Sequence, residues 1–267
     1  MSRSRRRTRQ PAAERPEQHY LVEPRALAGG GDLRHVFEFL AADGWPLTRR
    51  PNGLTVAWSP DGSVRIGYDP HGSPAGWTIS GKAARKGEEP WVVTFGQATP
   101  VEIVAAFTDA LTLPRTAHAP NVWAPLERAG WKVGPENDWY TARSPDRTAW
   151  LQYHQGPHGA LWWAAARSEE GFGWMATLTP STPMHLVQAF AAGLSDPRPV
   201  MRPRGSLPPI RDLQTTSVSV LPSQLSAAHE ARVHSARAAA WARATGSGPP
   251  GTTPATRPAA RHTAIRR

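Results

Sequence analysis

Two histidines, His154 and His158, stand four apart in YHQGPH, the spacing at which one helical turn presents two imidazoles to a metal. The residues between them are Gln, Gly and Pro, which oppose a helix, and no HExxH pattern is present, so the stretch reads as a surface turn. Ser59 with Asp61, and Ser144 with Asp146, pair a hydroxyl with a carboxylate, as a nucleophile and its orienting acid would be paired. Both pairs belong to the same tripeptide, Ser-Pro-Asp, whose composition suits a tight reversal, and their joint recurrence favours a turn over a catalytic role. Gly29, Gly30 and Gly31 before Asp32 suggest a phosphate cradle, but neither the Gly-Lys-Ser/Thr of a P-loop nor GxGxxG occurs, so they read as a flexible entry to a helix capped by Asp32. ISGKAARKGEEP has the Gly-Lys but continues with Ala, as a polar hairpin loop carrying Lys82, Arg85 and Lys86 would. His185 reads as a residue near a helix start rather than a base. No catalytic, cofactor-binding or metal-ligating residue is assigned, and the chain reads as a non-enzyme.

Tryptophan is the richest remaining source of chemistry. Eleven of the twelve fall between residues 45 and 174. Trp45, Trp77 and Trp91 have counterparts at Trp131, Trp162 and Trp174, which marks these six as core. Trp139, Trp150 and Trp163 have none, so a scaffold does not require them, and they are the candidate binding surface: exposed rings on a sheet can stack on bases or grip another flat ligand.

Those counterparts come from an internal duplication. SPDGSVRIGYDP (59–70) returns 85 residues later as SPDRTAWLQYHQ (144–155). HVFEFLAADGW (35–45) matches NVWAPLERAGW (121–131), WVVTF (91–95) matches WMATL (174–178), and TPVEIVAAFTDAL (99–111) matches TPMHLVQAFAAGL (182–194), always in the same order. In each copy an apolar helical face (Val36, Phe37, Leu40; Val122, Trp123, Leu126) ends at a C-terminal glycine, Gly44 or Gly130. Pro125 should distort or shorten the second of these helices. LTVAWS and VRIGY alternate at period two around the SPDG turn, GWTIS and WVVTF add strands, and a short extra strand after Gly-Trp fits. The closing helices start at Thr99-Pro100 and Thr182-Pro183, with Glu102 completing a capping box in the first.

The expected fold is therefore α+β: two tandem helix–antiparallel sheet–helix repeats of four or five strands each, packed together as a pseudo-two-fold dimer that hides the second face of each sheet. The expected boundaries are a disordered basic arm at 1–18, repeats at 19–113 and 120–196, a linker at 114–119, and a mostly disordered Pro/Ala/Arg-rich tail at 197–267. Within that tail, 223–245 is Ala-rich enough for a lone basic helix.

With Gly-Trp, SPD, the strand tyrosine, the tryptophan strands and TPxxxVxAF all occurring twice in order, the chain resembles an actinobacterial family built on the domain of unknown function 317, commonly as tandem copies. The resemblance spans about residues 20–196 and is strongest in YLVEPRALAGGGDLRHV (20–36) and the Thr-Pro helices. It implies a tandem fold and supplies no catalytic residues.

The net charge of +10 is unevenly placed: residues 1–18 carry +4 and 197–267 carry +9, which leaves 19–196 at about −3. Any phosphate contact therefore belongs to the arms, through Arg3, Arg5, Arg6, Arg7 and Arg9 and through Arg232, Arg237 and Arg243. GC-rich coding competes as the cause, since 28 of the 31 basic residues are arginine. With no cysteine, disulfides and thiolate sites are excluded. No apolar window is long enough for a bilayer or for a secretory signal, so the chain reads as cytoplasmic with no membrane contact. The leading reading is a non-catalytic binding or regulatory protein whose basic tails touch nucleic acid, or which meets a protein partner. The alternative is a small-molecule-binding protein or enzyme with a pocket between the repeats.

Overall fold

The computed structural model describes residues 14–83, 87–113, 118–156, 159–211 and 213–245. Strand β1 (Glu17–Glu23) leads into the first copy, α1 (Arg34–Ala42), β2 (Leu47–Arg49), β3 (Thr55–Trp58), β4 (Val64–Asp69), β5 (Gly76–Gly81), β6 (Trp91–Gly96) and α2 (Val101–Thr112). The second copy repeats that order as α3 (Ala124–Arg128), β7 (Lys132–Glu136), β8 (Trp139–Arg143), β9 (Ala149–Gly156), β10 (Gly159–Arg167), β11 (Gly173–Leu178) and α4 (Met184–Leu194). Then come β12 (Val200–Pro203), β13 (Gln214–Val220) and α5 (Pro222–Ala244).

Local chemistry sets the element ends. Gly44 and Gly130 adopt φ of +93° and +78°, and the following Trp45 and Trp131 N–H groups donate to the Leu40 and Leu126 carbonyls. Only glycine takes that left-handed turn without strain, so both first helices stop at the same place. They start differently: α1 has nine residues and α3 five, because Pro125 sits in the first turn of α3. The expected capping box is not formed. Pro100 and Pro183 stand at the N-caps of α2 and α4, the Thr99 hydroxyl finds no partner among the described residues, and Glu102 is drawn away to Arg202.

The two copies do not hide separate sheets against each other. They share one ten-stranded antiparallel sheet, ordered β2-β3-β4-β5-β6-β11-β10-β9-β8-β7. The last strand of each copy would otherwise leave an unpaired edge, and pairing β6 with β11 satisfies both. Thr94 lies opposite its counterpart Thr177, with hydroxyl oxygens 2.7 Å apart, and Val93 and Phe95 face Leu178 and Ala176.

Alternation places Trp91, Val93 and Phe95, with Trp174, Ala176 and Leu178, on the face that the helices cover. Phe95 packs at 5.7 Å from Phe107 of α2 and at 5.4 Å from Phe190 of α4, all fully buried. A Cβ on Gly193 would come within 2.5 Å of the Ala106 Cβ, so α2 and α4 cross in close contact. All six duplicated tryptophans are buried.

The region after residue 196 differs from the expected linker and tail. β1 is the centre of a three-stranded sheet ordered β12-β1-β13. Arg202, 2% exposed, makes a two-pronged ion pair with Glu102 at 2.7 Å and donates to the carbonyls of Ala28, Gly29 and Met201. Proline richness and missing periodicity conceal this segment because its strands are short, and its principal anchor is an arginine rather than an apolar stripe. The Ala-rich stretch forms α5, which lies on α1. Ala236 is its one buried residue among those described, and polar pairs do the docking: His229 with Glu38, Arg232 with Asp109, and Arg243 with Asp43. Burial raises the Asp109 carboxyl pKa, and the Arg232 guanidinium opposes that rise.

Candidate functional site

The helix-free face of the ten-stranded sheet is where three of the unduplicated tryptophans meet. Ala142, Leu151 and Trp162 point to the helices, so Trp139 on β8, Trp150 and His154 on β9, and Trp163 on β10 point the other way. Cross-strand register puts Trp139 opposite His154, their ring centroids 4.7 Å apart. Trp163 is 6.1 Å from Trp139 and meets Trp150 edge to face at 6.4 Å. The four rings form one half-exposed patch, with Gln152 and Thr141 hydrogen bonded to each other between them.

Apolar and cationic groups continue across the face. Trp58, Val92, Leu161 and Met175 are 37–61% exposed. In the first copy Arg65 stands 5.5 Å over the ring of Trp58, a cation–π contact. Lys132, Arg143 and Arg167 are exposed on the second copy, and Arg143 is held by Glu136 at 2.8 Å. At the positions of Trp150 and Trp163 the first copy has Arg65 and Thr78, so the aromatic patch belongs to one copy alone.

The Ser-Pro-Asp turns are engaged internally. The Ser59 hydroxyl donates to Asp61 at 2.5 Å and accepts the Val64 N–H at 2.9 Å, and Asp61 also accepts from the Ser63 N–H and hydroxyl. Ser144, Asp146, Thr148 and Ala149 repeat the pattern. These bonds hold the Asp61 carboxyl down to about 2. Each serine hydroxyl is thus spent on closing a hairpin.

The arginines expected at phosphates divide into three groups. Arg3, Arg5, Arg6, Arg7 and Arg9 lie outside the described residues, as does His158. Arg232 and Arg243 differ from expectation: Arg232 bonds Asp109 at 2.7 Å and lies 4.4 Å over Phe39, while Arg243 bonds Asp43 and the Thr112 carbonyl. Sequence periodicity alone could not show that α5 spends these charges on its own docking. Arg237 is exposed. Sequence reasoning also passed over Trp123, Tyr140 and Tyr153, which line a cleft on the opposite, helix-covered face. Pro125 beside Trp123 was the signal that this helix would leave sheet uncovered.

Among the described residues no helix is long and apolar enough to cross a membrane. No curated protein and no solved structure matches the chain. A family model does: the SPDY domain, a domain of unknown function (DUF317), matches twice, at residues 58–117 and 143–200, each match opening one residue before a Ser-Pro-Asp turn, so the chain carries two repeats of that domain.

Proposed function

We propose that this chain is a non-catalytic binding protein that holds single-stranded nucleic acid across the helix-free face of its sheet. The observation that carries the reading is the convergence of Trp139, Trp150 and Trp163, three of the tryptophans the duplication does not require, on one open face. Flat bases stack on such rings with little sequence preference, at about 1–3 kcal/mol per base. Lys132 and Arg167 give phosphates positive partners on the same face of the second copy, and Arg65 adds another beside Trp58 on the first. A duplex hides its base faces, so the platform selects single strands. The two copies are related by an approximate dyad through Thr94 and Thr177, supported by equivalent residues facing each other there. The internally bonded Ser-Pro-Asp turns argue against hydrolytic chemistry.

The test is a titration of the full chain with a labelled thymidine oligonucleotide and the matching duplex at several salt concentrations. Single strand should bind more tightly. If about four phosphates are engaged, log K should fall with log salt at a slope of about −3. Replacing Trp139, Trp150 and Trp163 together by alanine should abolish the preference. Equal binding by that variant would move the contact to the arms, and absence of binding would remove nucleic acid altogether.

A further inference from the structure

The helix-covered face of the second copy carries a separate site. Because Pro125 confines α3 to residues 124–128, that helix leaves part of the sheet uncovered where the nine residues of α1 cover its counterpart. The opening is a cleft of about 450 Å³ lined by Trp123, Tyr140, Tyr153, Trp162, Pro180 and Met184. Four aromatic rings follow one another around it. Tyr140 is 4.8 Å from Trp123, Trp123 is 5.5 Å from Trp162, and Trp162 is 4.6 Å from Tyr153. Tyr153 is the cross-strand partner of Tyr140. Tyr140 and Met184 are 41% and 42% exposed at the mouth, while Trp162 is buried at 3%.

In the first copy the matching position is shut. Phe37, Tyr68, Trp77 and Val101 are each 8% exposed or less. The glycine segment before α1 lies over Val101: the Gly30 carbonyl accepts the Val101 N–H at 2.6 Å, and a Cβ on Gly31, at φ +90°, would come within 2.9 Å of the Val101 side chain. The same fold position is therefore core in one copy and an open aromatic cleft in the other.

We infer that this cleft is an aromatic cage for a trimethylammonium group. Successive rings are tilted by 57°, 38° and 41°, so they do not make the parallel slot that a planar heterocycle needs. Four aromatic rings line the opening, and aromatic π faces attract a compact, weakly hydrated cation. Among the described residues no charged side chain lines the cleft, so none of them competes for the cation or repels it. A choline headgroup and a trimethylated lysine side chain present the same chemistry. The site lies on the other side of the sheet from the tryptophan patch and stands independently of nucleic-acid binding.

Calorimetric titration of the full chain with choline, and with its neutral isostere 3,3-dimethylbutan-1-ol, isolates the charge. Choline should bind about tenfold or more tightly than the isostere, the margin expected from several cation–π contacts in a partly desolvated site. Tyr140→Ala should weaken choline about tenfold with an unchanged melting temperature, since that ring is 41% exposed, and Tyr140→Phe should restore it. Phosphocholine and a peptide bearing trimethyl-lysine then name the source by which binds more tightly. Equal affinity for choline and the isostere, undetectable choline binding, or unchanged binding by both Tyr140→Ala and Trp123→Leu overturns the assignment.

Discussion

Arg202→Leu should destabilise the protein by about 3–5 kcal/mol, the range for breaking a buried ion pair by removing one partner. The guanidinium is 2% exposed and uses both Nη atoms on Glu102 at 2.7 Å, so its loss leaves a carboxylate that is only 22% exposed without its ion-pair partner. The carbonyls of Ala28, Gly29 and Met201 lose a donor as well. Partial solvent access at Glu102 pulls the expectation to the lower end of that range. Urea unfolding, extrapolated linearly to water, measures the loss, and against a total of about 5–15 kcal/mol it is readily resolved. The cycle with Glu102→Leu adds a second reading. The double variant should be less damaged than the sum of the single changes, because it leaves no orphaned charge. A loss below about 0.5 kcal/mol for Arg202→Leu, typical of an ordinary surface substitution, would refute the reasoning and return residues 197–220 to the status of a linker.

Three further outcomes follow from the packing and electrostatics. Phe107→Ala and Phe190→Ala, each fully buried against Phe95, should each cost about 3–5 kcal/mol in urea unfolding. Gly193→Ala should cost about 1–3 kcal/mol by overpacking against Ala106, and pairing it with Ala106→Gly should recover part of that loss. His35 is pushed down to about 4, first by burial and then by Arg232, so the folded state keeps it neutral while the unfolded chain protonates near 6.5. Stability should accordingly fall as pH drops from about 6.5 to 4, by at most about 3 kcal/mol, and His35→Gln should flatten that part of the profile.

Much of this architecture is legible in the chain because the copies constrain each other. Gly44 and Gly130 mark helix ends by a backbone requirement, and alternation around the Ser-Pro-Asp turns gives the strand faces. Pairing between copies was not legible: β6 and β11 look alike whether they end two sheets or join one, and only the exposed Val92 and Met175 opposite buried neighbours tell which face stays open. Arg202 and the docking of α5 escaped because polar anchors leave no hydrophobic period to read. Trp139, Trp150 and Trp163 were found by subtraction, since a residue absent from one copy is free of the scaffold's demands. The aromatic cleft was hidden by the same logic, as Tyr153 and Trp162 have counterparts and pass for core.

The binding face is tested most directly by two-dimensional NMR of the indole N–H groups during titration with a thymidine oligonucleotide. Base stacking on the helix-free face predicts large shifts for Trp139, Trp150 and Trp163 and small ones for the buried Trp77, Trp91 and Trp174. Shifts confined to other indoles, or no indole shift at an oligonucleotide concentration that saturates binding, would contradict it.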